Sequence, residues 1–131
     1  MPEEIKLSAV ITATPKEIYN AWLDSKAHSA FTGGGAAKID PKVKGKFTAW
    51  DDYISGRNLE LVPNKKIVQA WRTTEFPAKH PDSRLEVILE PSAKGTKVTF
   101  VHTDIPDGQS ADYKKGWKDF YFTPMKKYFS K

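Results

Sequence analysis

The chain has 131 residues, of which 39% are hydrophobic and 12% aromatic, with no cysteine and a formal net charge of +5. That length suits one domain over residues 1–131, able to bury roughly two-thirds of its unfolded surface. The missing thiols exclude disulfides, thiol catalysis and thiolate zinc sites, and no apolar run of about 18 residues exists to span a bilayer.

The start, MPEEIK, is acidic and lacks the apolar stretch of a secretion signal, so a cytoplasmic soluble protein is expected. Lysines are dispersed among Asp and Glu, with local pairs at Lys65-Lys66, Lys114-Lys115 and Lys126-Lys127. A basic excess of this kind is ordinarily solvated surface. In residues 3–13, Ile5, Leu7, Ala9 and Ile11 share one face of a predicted strand, although Val10 blurs the alternation. Thr14-Pro15-Lys16-Glu17 is a helix start with a capping box and proline at the first helical position. The helix carries Ile18, Ala21 and Trp22 inward with Tyr19 beside them. Ser25 is expected to cap a second short helix that stops at Thr32-Gly33-Gly34. The triple glycine lacks the Gly-Lys-Ser/Thr ending of a phosphate loop and the leading strand of a dinucleotide fingerprint, so it reads as a helix stop and turn.

Strands are predicted at 36–40 and 45–50, with Asp51-Asp52 as a turn. The hairpin Tyr53–Arg72 follows. Leu59 and Leu61 alternate there with Asn58 and Glu60, and Ile67, Gln69 and Trp71 alternate with Val68, Ala70 and Arg72 across a Pro63-Asn64 turn. A loop at 73–83 leads to Leu85, Val87 and Leu89 alternating with Arg84, Glu86 and Glu90. Pro91 to Gly95 turns the chain, Val98 and Phe100 continue the pattern, and Ile105-Pro106-Asp107-Gly108 ends it. The last segment changes period: Tyr113, Trp117, Phe120, Tyr121, Met125 and Tyr128 form one broad helical stripe. Gly116 on that stripe would let a strand or side chain approach closely, and Pro124 should kink the helix or break it in two. The expected fold is α+β: a curved antiparallel sheet of about six or seven strands wrapped around a long C-terminal helix, with two short helices after the first strand, a helix-grip arrangement.

Local motifs carry a resemblance to a known family. Phe31-Thr32-Gly33-Gly34, Gly45-Lys46-Phe47, Ser55-Gly56, Leu59-Glu60-Leu61-Val62-Pro63 and Lys66-Ile67-Val68-Gln69-Ala70-Trp71-Arg72 occur in order. Phe76-Pro77 with His80, then Gly95-Thr96, Ile105-Pro106, Gly116-Trp117, Tyr121-Phe122 and Lys126-Lys127-Tyr128-Phe129 follow. Together they resemble the C-terminal domain of the activator of heat-shock protein 90 ATPase, within the START/Bet v 1-like (SRPBCC) superfamily. The resemblance covers nearly the whole chain and implies a helix-grip fold. It also implies a protein-interaction role on a chaperone of the heat-shock protein 90 type in stress response. In the two-domain eukaryotic activators a separate N-terminal domain makes the main chaperone contact, and this sequence begins at the C-terminal-type domain.

No catalytic set emerges. There is no nucleophile elbow, and His28, His80 and His102 lie in separate elements without metal-ligand spacing, so no enzyme activity, metal or cofactor is expected. Asp51-Asp52 and Glu3-Glu4 read as solvated pairs. The leading expectation is a small hydrophobic molecule held between sheet and C-terminal helix. Trp50, Tyr53, Trp71, Phe100, Trp117 and Tyr121 are its candidate contacts, and His102, Gln69 and Arg72 its polar groups, with Arg72 nearer the rim. Trp71 and Trp117 are expected to meet, as core or as cavity wall. His102 is either a polar group at the cavity mouth or a satisfied strand-end histidine. The rings either leave a cavity or fill it. No nucleic-acid motif accompanies the charge, no membrane is engaged, and monomer and homodimer are both compatible.

Overall fold

The computed structural model describes residues 3–32 and 36–129. The alternation at the start forms β1, Glu3–Ile11, with Ile5, Leu7, Ala9 and Ile11 turned to the core and Val10 outward. Thr14 then caps helix α1, Pro15–Leu23, through a reciprocal capping box with Glu17. Its hydroxyl accepts from the Glu17 N–H at 3.1 Å, and the Glu17 carboxylate accepts from the Thr14 N–H at 3.0 Å. Ile18, Tyr19, Ala21 and Trp22 are buried on its inner face. The second helix, α2 (Ser25–Phe31), is capped by Asp24 rather than Ser25. The Asp24 carboxylate accepts from the Ala27 N–H at 2.8 Å, a bond that the helix dipole reinforces. Ser25 is the first helical residue, and its hydroxyl accepts from the Ile39 N–H at 2.8 Å. The triple glycine, with its expected turn and half of its motif, lies outside the described residues.

Six further strands follow: β2 (Lys38–Ile39), β3 (Lys46–Ala49), β4 (Ile54–Val62), β5 (Lys66–Thr73), β6 (Ser83–Ser92) and β7 (Gly95–Ile105). They join β1 in a seven-stranded antiparallel sheet of order β1-β7-β6-β5-β4-β3-β2. β2 and β3 are shorter than the sequence pattern implies. The β4–β5 hairpin turns at Pro63-Asn64 with Asn64 at φ +64°, the left-handed conformation asparagine tolerates. The β6–β7 turn is tighter than Pro91 to Gly95, because Ser92 already pairs with Gly95. A Cβ on Gly45 would collide with the Asp40 carbonyl and one on Gly56 with the Ala70 carbonyl, so both glycines mark close backbone approach.

Within β4 the alternation reverses. The register shifts between Asn58 and Glu60, which leaves Leu59 42% exposed and Asn58 fully buried. A bulge moves side chains across the sheet in this way, and the buried amide must then be satisfied. Asn58 Nδ2 donates to the Asp40 and Lys42 carbonyls at 2.9 and 3.1 Å, and its Oδ1 accepts from Gln69 Nε2 at 2.9 Å.

The C-terminal segment comprises α3 (Ser110–Trp117), a π-helical turn (Lys118–Phe122) and α4 (Thr123–Phe129). It stays helical throughout, so Pro124 does not split it. The Thr123 N–H reaches the Lys118 carbonyl across the wider turn, and Pro124, which lacks an N–H to add to the ladder, follows directly on that irregular turn. The wider turn also corrects the stripe. Tyr113, Trp117, Tyr121 and Met125 are buried as expected, but Phe120 is 56% and Tyr128 37% exposed, while Phe122 is buried instead. With an extra residue per turn, the position five after Trp117 joins the inner face and the position three after it leaves. Phe122 stacks flat on Phe100 at 4.6 Å between centroids.

Candidate functional site

An apolar cavity of about 400 Å³ opens where the β3–β4 turn and β5 face α3 and the π turn. Five of the expected contacts line it: Trp50, Tyr53, Trp71, Trp117 and Tyr121. Ile54, Asp112, Tyr113, Gly116 and Phe120 complete the wall. Tyr113, Gly116 and Phe120 were legible as members of the helical stripe; Ile54 and Asp112 carried no signal.

The backbone is strained at the rim. Trp50, Asp51 and Asp52 take φ of +54°, +56° and +72° in succession, each costing on the order of 1–3 kcal/mol. The turn is held by Ala36, whose carbonyl accepts from the Asp51 N–H at 3.0 Å and whose N–H donates to Asp51 Oδ1 at 2.9 Å. Its effect is to bring the Trp50 ring edge-on to Phe120 at 5.7 Å, closing one side of the mouth. Inside, Trp71 and Trp117 meet at 5.2 Å, Trp71 and Tyr113 at 5.2 Å, and Trp117 and Tyr121 at 4.8 Å. Gly116 has a role other than the close approach expected from sequence. The nearest neighbour of a Cβ there would be Phe120 Cδ2 at an ordinary 3.9 Å, so the missing side chain leaves room in the cavity.

The polar tips of four wall residues are bound to the protein. Trp117 Nε1 donates to His102 Nδ1 at 3.1 Å. Tyr113 donates to Gln109 Oε1 at 2.6 Å and accepts from the Thr73 hydroxyl at 2.7 Å. Tyr121 donates to His28 Nε2 at 2.9 Å, and Tyr53 to Glu75. Burial holds the Tyr121 phenol above the usual tyrosine range, and burial with the Glu75 bond does the same for Tyr53.

Four expected contacts lie outside the lining. Phe100 is fully buried between Trp117 and Phe122. Gln69 bridges Asn58 and the Trp22 indole, the latter at 3.4 Å. Arg72 is half-buried over Phe76 and secures the loop before β6 through Asp82 at 2.8 Å and the His80 and Pro77 carbonyls. His102 is fully buried rather than at the mouth. Its Nδ1 accepts from Trp117, so Nε2 carries the proton and donates to Ser83 Oγ at 2.7 Å, and Ser83 donates on to the Trp71 carbonyl. Sequence reasoning did not single out His28, which forms a similar bridge. Its Nδ1 donates to the Trp22 carbonyl at 2.9 Å and its Nε2 accepts from Tyr121. Burial pushes His28 down to about 4 and His102 down to about 3, so both are neutral at pH 7.

Among the described residues no three His, Cys, Asp or Glu side chains converge as a metal site, and no helix is long and apolar enough to cross a membrane. A second recess, of about 540 Å³, runs between β1 and the C-terminal helix, with Leu7, Ser8 and Ala9 on one side and Lys114, Lys115, Lys118 and Lys126 on the other.

Comparison with known proteins agrees with this architecture. The human "Activator of 90 kDa heat shock protein ATPase homolog 1" is 27% identical over 126 residues, covering 96% of this chain but 37% of the relative. The chain thus spans little more than a third of that protein's length. The crystal structure of an HSP90 activator from Plasmodium falciparum superposes with a TM-score of 0.88 at 24% identity, covering 97% of this chain and 96% of that one. A protein of Chromobacterium violaceum, 27% identical, superposes with a TM-score of 0.78 over 100% of this chain and 99% of its own. The sequence model described as "Activator of Hsp90 ATPase homolog 1-like protein" matches residues 12–130. The chain belongs to the Activator of Hsp90 ATPase homolog 1-like family, with its helix-grip, Bet v 1-like fold.

Proposed function

We propose that this chain is a non-enzymatic binding protein that takes a small hydrophobic molecule into the cavity between sheet and C-terminal helix. One observation carries the reading: a recess of about 400 Å³ walled mostly by rings remains open beside a densely packed aromatic core. Its size lies within the roughly 300–1,000 Å³ range of ligand sites, and such sites are mostly apolar with few polar groups. Native mass spectrometry of protein from its own host, with mild denaturation to release bound material, should reveal a discrete small-molecule mass. A hydrophobic library should shift tryptophan fluorescence and melting temperature, because Trp50, Trp71 and Trp117 form the wall. Unchanged fluorescence and melting temperature across the library would remove the reading.

A second reading, contact with a chaperone of the heat-shock protein 90 type, is favoured by the family and by the four lysines beside β1. Those lysines would meet an acidic chaperone surface and govern on-rate and salt dependence. Stimulation of the chaperone's ATPase at low salt, lost on Lys-to-Glu replacement along the groove, is the expected result. An unaffected ATPase rate with no retention in a pull-down would count against it.

A further inference from the structure

The charges around the cavity are sorted. Among the described residues the lining holds one charged side chain, Asp112, and no Lys, Arg or His. A second carboxylate, Glu75, lies just behind the wall on the Tyr53 hydroxyl. The lysines of the same helical segment, Lys114, Lys115 and Lys118, line the recess on its other side. Helical spacing explains the sorting: Asp112 and Gly116 are four apart and share the cavity face, whereas Lys114 and Lys118 share the opposite one.

An entering molecule therefore meets ring faces, ring edges and one carboxylate. The negative face of an aromatic ring attracts a cation and repels an anion. Four of the wall's donors, the hydroxyls of Tyr53, Tyr113 and Tyr121 and the indole N–H of Trp117, are engaged with protein partners and are not offered to a ligand. The overall charge of +5 draws anions at long range, but that field is screened beyond about 8 Å at physiological ionic strength. Inside the mouth the rings and Asp112 decide.

We propose that the cavity selects an organic cation, an aromatic or alkyl ammonium whose apolar body fills the ring-lined space and whose charge meets the rings and Asp112. This rests on the reading of the cavity as a ligand site and adds the chemical class of its ligand.

Three probes of one shape separate the two claims: naphthylmethanol, naphthylmethylammonium and naphthoate, titrated calorimetrically into the full chain at neutral pH. The expected order is ammonium, then alcohol, then carboxylate, with the ammonium roughly tenfold tighter than the alcohol, the advantage of a partly desolvated cation–π site. Asp112→Asn should narrow the ratio of ammonium to alcohol affinity, and so should added salt. Asp112 is exposed, so the substitution should leave the fold intact. If the alcohol binds while the ammonium gains nothing, or the carboxylate binds best, the cation preference is wrong and the cavity reading stands. If none of the three binds, the cavity reading itself has failed.

Discussion

The two ends of the sheet–helix interface use the same residue types to opposite effect. At one end Trp22, Phe31, Phe100, Phe122 and Met125 are buried together, with His28 packed against Trp22 and Phe31 and Phe100 against Trp22 and Phe122. At the other, Trp50, Tyr53, Trp71, Trp117 and Phe120 surround a cavity. Three local departures from regular structure separate the ends. The π turn sends Phe122 into the core and Phe120 to the rim, the left-handed turn at Trp50 lifts one wall, and Gly116 withholds a side chain where space would fill. Each is unfavourable for local backbone stability, and each falls at the open end. Three consecutive left-handed residues beside unfilled volume are the observation on which the proposed site rests.

The comparison is broken most forcefully from the packed end. Phe100→Ala leaves a hole in a fully buried stack and should cost about 3–5 kcal/mol in chemical denaturation. Phe120→Ala at the half-open rim should cost less than about 1 kcal/mol, with weakened binding of an apolar probe as its main effect. Equal losses of stability at the two positions would mean that the ends are packed alike.

Acid should act next most strongly, and again on the core. His28 and His102 are held down to about 4 and about 3, below the unfolded histidine value of about 6.5. Below that value the unfolded chain binds protons that the folded one refuses. Stability is therefore complete above about pH 6.5 and falls as the pH drops toward the folded values. At about pH 5 the loss should be roughly 2 kcal/mol per histidine. Denaturation midpoints at neutral and mildly acidic pH test this, and a flat profile would contradict the buried neutral bridges from His28 to Tyr121 and from Trp117 to His102.

The smallest effect sharpens the open end. Gly116→Ala should raise stability by about 0.5–1 kcal/mol, since glycine inside a helix costs that much relative to alanine and the new Cβ meets nothing closer than 3.9 Å. The same substitution should weaken binding of a ligand that fills the cavity.

Much of the fold was legible because it follows from short-range patterns. Alternation located the longer strands, and Thr14 with Glu17 located the first helix. The misses share a cause: a shift of one residue that no periodicity reports. The bulge after Asn58 exchanges Leu59 for an asparagine, and the π turn exchanges Phe120 for Phe122. Pro124 did signal an irregular helix, though not which ring would move. For the site, ring-bearing positions were readable as large side chains on inward faces. The polar candidates Gln69 and His102 were not, because on an inward face a partner within the core and a ligand look alike in sequence. Gly116 was visible on the stripe, and its meaning depended on what stood opposite.

The most direct test of the cavity is calorimetric titration of the uncharged probe naphthylmethanol into the wild-type chain and into Gly116→Leu. The account predicts saturable one-to-one binding by the wild type, and its loss in a variant that is folded, as judged by its melting transition, and has leucine filling the space. No binding by the wild type, or equal binding by both proteins, would contradict it.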